Sequence, residues 1–171
     1  MSVRMNHNAG RGGHAHRAGF SYIELVTVLA ILAIVAAIAA PRMASSMSDR
    51  RVDLAARQIA SALEFARRSA MTRSTTQAFV WLDEAVPGYT LTGLDDPDRA
   101  GEAYVVRFSR EEWGLTAESV DLGHDADADR LAIVFDMYGK PDSGGSIVVS
   151  IGGHARTISV DDDTGRVTIE R

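Results

Sequence analysis

"GFSYIELVTVLAILAIVAAIAAPRM", residues Gly19 to Met43, decides how the rest of the chain is read. Between Phe20 and Ala40 only Ser21, Tyr22, Glu24 and Thr27 are polar. About 20 residues of helix cross the hydrocarbon layer of a bilayer, so the stretch predicts a membrane-spanning helix. Glu24 is the difficulty. Burying a carboxylate costs about 2.5 to 3.5 kcal/mol near the centre of such a helix and less near its end, so its presence calls for a reason.

The preceding residues, "MSVRMNHNAGRGGHAHRA", show no periodicity and too little apolar surface to fold. They carry Arg4, Arg11 and Arg17 and no acid, which predicts a cytoplasmic N-terminus and an exported remainder. His7, His14 and His16 could suggest metal binding, but no helical or strand frame positions their imidazoles. The whole chain carries −5, distributed unevenly: residues 42–73 sum to +4 and residues 74–171 to −11. The acidic distal part argues against a general phosphate-binding surface, and no nucleic-acid partner is expected. There are no cysteines, which excludes disulfides, thiolate metal sites and a Cys nucleophile.

Two ordinary readings of the apolar stretch compete. A secretory signal peptide would be cut after the small residues Ala37-Ile38-Ala39, leaving Ala40 as the mature N-terminus, but Glu24 interrupts the start of its apolar run and Pro41 hinders many peptidases. An uncut anchor gives no reason to keep Glu24.

Gly19, Phe20, Ser21, Ile23 and Glu24 match the pattern G-F-[ST]-L-[IL]-E, with Tyr22 in place of Leu. The stretch therefore resembles the class III signal of type IV pilins and type II secretion pseudopilins. The resemblance implies that a membrane prepilin peptidase cuts between Gly19 and Phe20 and methylates the new amine of Phe20. It also implies that Glu24 pairs with the N-terminal amine of an adjacent subunit during assembly. Pairing offsets much of the cost of an isolated charge in lipid, and a carboxylate in the first helical turn gains roughly 0.3 to 1 kcal/mol from the helix dipole. Pro41 sits where many pilins carry a proline. Its missing N–H and ring clash predict a kink or local melt, or simply a helix boundary outside the bilayer.

Beyond Pro41, Val52, Ala55, Ala56, Ile59, Leu63, Ala66 and Ala70 recur at three- and four-residue spacing, with charges elsewhere around the helix. This predicts an amphipathic helix continuing the apolar one. From Thr76 the pattern changes to short runs, "QAFVWL", "GYTLTG", "AYVVRF", "LAIVFD", "SIVVSI", "RTISV" and "RVTIE", separated by Gly, Pro and Asp. Gly152-Gly153 between two alternating runs predicts a tight hairpin, and Gly165 a second turn. Phe135 to Gly139, Ser146 to Ile151 and Thr164 to Val167 are similar to the closing segments of a GspH/FimT-type minor pseudopilin head. The resemblance covers residues 19–73 and about 131–171.

Other candidate chemistry is weaker. Asp125, Asp127 and Asp129 have the alternation of a calcium loop, but its sixth position is Arg130 rather than Gly. Asp161 to Asp163 fit a turn. His124 and His154 fall in expected loops, and Ser109, Ser119 and Ser150 lack any nucleophile context. Trp81 and Trp113 read as packing residues. Neither a metal nor a cofactor is expected, and the chain does not read as an enzyme.

The expected fold is α+β, pilin-like: a long N-terminal helical spine, its first half in the membrane, packed on a mainly antiparallel β-sheet head. The expected divisions are a cytoplasmic leader, residues 1–19; a transmembrane helix, 20–43; an amphipathic helix, 44–73; and a head, 74–171. The resemblance implies a minor pseudopilin near the tip of a type II secretion pseudopilus, anchored by one inner-membrane span with a periplasmic head. Its expected partners are the prepilin peptidase, other pseudopilins, an inner-membrane assembly platform and lipid. The alternatives are a FimT-like minor pilin for pilus assembly or DNA uptake, a secreted enzyme and a plain membrane-anchored binding protein.

Overall fold

The structure, a computed structural model, describes residues 21–82, 86–96, 99–109, 113–125 and 130–171. Gly19 and Phe20, the leader histidines, Asp127 and Asp129 lie outside the described residues. The chain divides into two units, Met1–Ala40 and Pro41–Arg171.

Helix α1 runs over Tyr22–Arg73. It starts where the carbonyl of Ser21 accepts the N–H of Leu25 at 3.1 Å, and Glu24 sits in its first turn. The apolar run within it is long and apolar enough to cross a membrane. In the first unit every described side chain is exposed, including Ile23, Leu29 and Ile34. A helix apolar on most sides is suited to lipid or to the apolar faces of other helices rather than to water. The backbone remains helical through position 41, so Pro41 does not end α1.

In the second unit the helix is amphipathic. Val52, Ala55, Ala56, Ile59, Leu63, Ala66 and Ala70 are all 0% exposed, which is the face their spacing predicts. The helix ends at Arg73, followed by Ser74 in the left-handed region at φ 51°.

Among the described residues the strands that follow are β1 (Gln77–Leu82), β2 (Gly88–Asp96), β3 (Arg99–Arg107), β4 (Thr116–Asp121), β5 (His124–Asp125), β6 (Arg130–Phe135), β7 (Gly145–Ile151), β8 (His154–Val160) and β9 (Val167–Glu170). They form a five-stranded sheet, β3-β2-β1-β6-β5, and a four-stranded sheet, β4-β7-β8-β9. Every pairing between these strands is antiparallel. Alternation sends Phe79, Trp81, Ile133 and Phe135 of one sheet, and Ile147, Val149, Ile158 and Val160 of the other, into a shared core with the helix. Full burial of such side chains stabilises by about 1.5 to 3 kcal/mol each.

The Gly152-Gly153 hairpin forms as its sequence predicts, with register from Gly145↔Val160 to Ile151↔His154 and both glycines at positive φ, 58° and 81°. His124 and His154 are corrections, since neither lies in a loop: His124 opens β5, pairing with Leu131, and His154 opens β8, because the two-glycine turn is tight enough for pairing to resume at once. Strands β4 and β5 carry no apolar alternation, and the polar sequence "TAESVD" did not announce β4. Trp81 is buried, and Trp113 packs edge-on against Phe108 with ring centroids 5.6 Å apart.

Candidate functional site

Glu24 is exposed on α1 and surrounded in sequence by apolar residues. Three residues on, Thr27 hides its own polarity by donating Oγ1–H to the carbonyl of Ile23 at 2.7 Å. Such back-bonding lets a hydroxyl sit in an apolar helix without an unmet partner. Among the described residues no hydrogen bond or ion pair engages the Glu24 carboxylate.

The second unit contains a polar clamp between helix and sheet. Strand β8 presents Arg156, 4% exposed, whose Nη2 donates to Asp49 Oδ1 at 2.6 Å. Its Nε stands 3.5 Å from Asp53 Oδ1, an ion pair without hydrogen-bond geometry, and its Nη1 donates to the carbonyl of Ala155 at 2.8 Å. The hydrogen bond from Arg156 holds Asp49 below the usual carboxylate range against a partial desolvation. Asp53 is held down first by Arg57, 2.8 Å away on the next turn, and then by Arg156. A buried guanidinium needs such partners, because removing it from water unpaired is costly. At the hairpin tip a side chain on Gly152 would meet Ser48 Oγ at 2.6 Å, so glycine there permits the close approach of hairpin and helix.

Beside the clamp, His154 Nε2 lies 3.0 Å from Ser45 Oγ, and its Nδ1 lies 3.8 Å from Asp49 Oδ1. The three residue types imitate a hydrolase triad, but the geometry does not serve one. Asp49 is beyond hydrogen-bond reach of the ring and is already engaged by Arg156. Ser45 sits within α1, where the backbone N–H groups that would form an oxyanion hole bond the preceding turn.

A third set of contacts secures the C-terminal part of α1. Arg67 Nε donates to the carbonyl of Gly139 at 3.0 Å, and Arg73 Nη1 to that of Gly93 at 3.2 Å. Gly139 has φ 80°, and an added Cβ would lie 2.8 Å from Met71 Sδ. Asp161 Oδ1 accepts from the N–H and Oγ1–H of Thr164 at 2.8 and 2.6 Å, which makes the Asp161–Asp163 segment a built turn. The clamp around Arg156 was not read from the sequence. Its only signal was a lone Arg in an otherwise apolar-alternating strand.

Comparison with known proteins adds identity to this geometry. A family model described as type II transport protein GspH matches residues 55–164. Two crystal forms of the type IV minor pilin FimU of Pseudomonas aeruginosa match the chain at 17% sequence identity. One has a TM-score of 0.50, with 71% of this chain and 90% of that chain covered. The other has a TM-score of 0.49, with 70% and 92% covered. No curated protein matches the chain.

Proposed function

The chain belongs to the GspH family of type II transport proteins, and from that premise we propose that it is a minor pseudopilin of a type II secretion system. Prepilin peptidase cuts between Gly19 and Phe20 and methylates Phe20, leaving the leader in the cytoplasm. The apolar helix holds the subunit in the inner membrane, with the head periplasmic. The inner-membrane platform then draws it into a short fibre, where it sits near the tip beside other pseudopilins and supports protein export. Its contribution is structural rather than catalytic.

The observation that carries this reading is the exposed apolar surface of residues 21–40 joined in sequence to a head of this family. A subunit that leaves lipid for a fibre exchanges one apolar surrounding for another, and Glu24 gains the amine it lacks. The test is deletion of the gene in its host, followed by assay of extracellular proteins and of surface pili. Loss of export with pili retained supports the proposal. Loss of pili with export intact would assign the chain to the second reading, a minor pilin of a type IV pilus, which the fold shared with FimU favours.

A further inference from the structure

Among the described residues the two sheets end in four edge strands: β3, β5, β4 and β9. Proteins blunt such edges with bulges, shortness or charge, because an unpaired edge is a template for another strand. Strand β3 meets β2 with two register shifts, β4 meets β7 with a shift between Ala117 and Ser119, and β5 has two residues. Strand β9 differs. It pairs with β8 in unbroken register from Val160↔Val167 to Thr157↔Glu170.

The direction of its backbone groups follows from one bond. The N–H of Asp161 donates to the carbonyl of Arg166 at 3.0 Å. Antiparallel alternation then turns the backbone of Thr168 and Glu170 toward β8, and that of Val167 and Ile169 toward the free edge. Ile169 stands opposite Ile158 on the same face, yet Ile158 is 1% exposed and Ile169 37%. The core between this sheet and α1 is thus left open along β9. An open groove runs there, with Arg57, Ser61 and Arg68 on its helix side and Val167 and Ile169 on its strand side.

We propose that β9 accepts an extended, acidic segment of a partner protein as an added strand lying in this groove. Val167 and Ile169 supply the backbone donors and acceptors, and the small side chains of Ala60 and Ser61 leave room for a second backbone. Arg57 and Arg68 are eleven helical positions apart, about 16 Å, which a strand covers in four to five residues. Carboxylates four residues apart on the incoming strand meet both, and Arg171 lines the same groove. Asp53 and Glu64 also line it, which disfavours nucleic acid, whose phosphates recur at every step. Among the described edge strands of a second copy, β4 carries Glu118 and Asp121, and the bulge there opposes regular pairing. The inference does not depend on which fibre the subunit joins.

The test uses the full chain in detergent and a labelled peptide, Thr-Val-Glu-Val-Thr-Val-Glu-Val-Thr, followed by fluorescence anisotropy. The peptide is expected to bind, and its counterpart with Lys in place of Glu to bind at least about tenfold more weakly. Ile169→Pro removes the outward N–H without touching the bonds to β8 and is expected to weaken binding about tenfold, whereas Ile169→Ala stays within about threefold. Arg68→Glu, on the helix and remote from the strand ladder, is expected to weaken it about tenfold and decides the matter if Ile169→Pro does not fold. No binding of the glutamate peptide, equal binding of the lysine peptide or an unaffected Arg68→Glu variant would each overturn the proposal. So would tighter binding of a short DNA duplex in competition, or self-association of the chain through β9.

Discussion

Arg156 of β8 and Asp49 of α1 meet at 2.6 Å, the guanidinium 4% exposed and the carboxylate 42%. One partner is buried and the other faces water, so the pair carries charge from the solvent-exposed side of the helix into the sheet. Asp53 adds a second carboxylate at 3.5 Å. The clamp holds the β7–β8 hairpin against the part of α1 that follows Pro41.

Acid is expected to loosen this clamp. Asp49 and Asp53 titrate below their ordinary value of 3.8 in the folded state, so folding lowers their proton affinity. Their contribution is complete above that ordinary value and is lost as pH falls through the lowered folded values. The melting temperature in detergent should therefore drop as the pH falls below the ordinary carboxylate value of 3.8, and less steeply in Asp49→Asn, which should already be less stable at neutral pH. An Asp49→Asn variant with an unchanged acid profile would remove the clamp from the account.

Gly139 and Gly153 separate two costs of adding a side chain. Both have positive φ, 80° and 81°, but a Cβ at Gly139 meets Met71 Sδ at 2.8 Å and one at Gly153 meets nothing within 4 Å. Gly153→Ala should cost about 1 to 2 kcal/mol from backbone conformation alone. Gly139→Ala should cost more, up to about 3 kcal/mol, measured by denaturant unfolding of the purified chain.

The two sides of the helix should respond differently to truncation. Leu63 is 0% exposed and Leu54 is 57% exposed. Leu63→Ala should destabilise by about 2 to 5 kcal/mol, and Leu54→Ala by no more than about 0.5 kcal/mol. If Leu54→Ala also impairs co-purification with other pilin-like subunits while leaving the melt unchanged, its exposed side chain serves an interface.

Glu24→Ala should leave membrane insertion intact or improve it, since it removes a charge from the apolar segment. Assembly should fail: the variant should accumulate in the membrane and no longer co-purify with partner subunits. Normal incorporation into the fibre would refute the role given to the carboxylate.

The helix and most strands were legible because their signals are local. Three- and four-residue spacing from Val52 to Ala70 marks one buried face, and the Gly152-Gly153 pair fixes a hairpin through the φ values it permits. Strand β4 was missed because only Ala117 and Val120 are part-buried, leaving no apolar alternation. The Arg156 clamp was missed because it joins residues 107 positions apart, a relation set by tertiary packing. The open edge at β9 was missed for a similar reason, since "RVTIE" reads as a strand whether or not a neighbour covers it.

Under the proposed function, Glu24 belongs to a subunit made ready for assembly by removal of its leader. Intact-mass and N-terminal fragment mass spectrometry of the chain from its native membrane tests this most directly. The expected mature protein begins at Phe20 and carries one methyl group on its amine. A protein that retains Met1 through Gly19, or one that begins at Ala40, would contradict it.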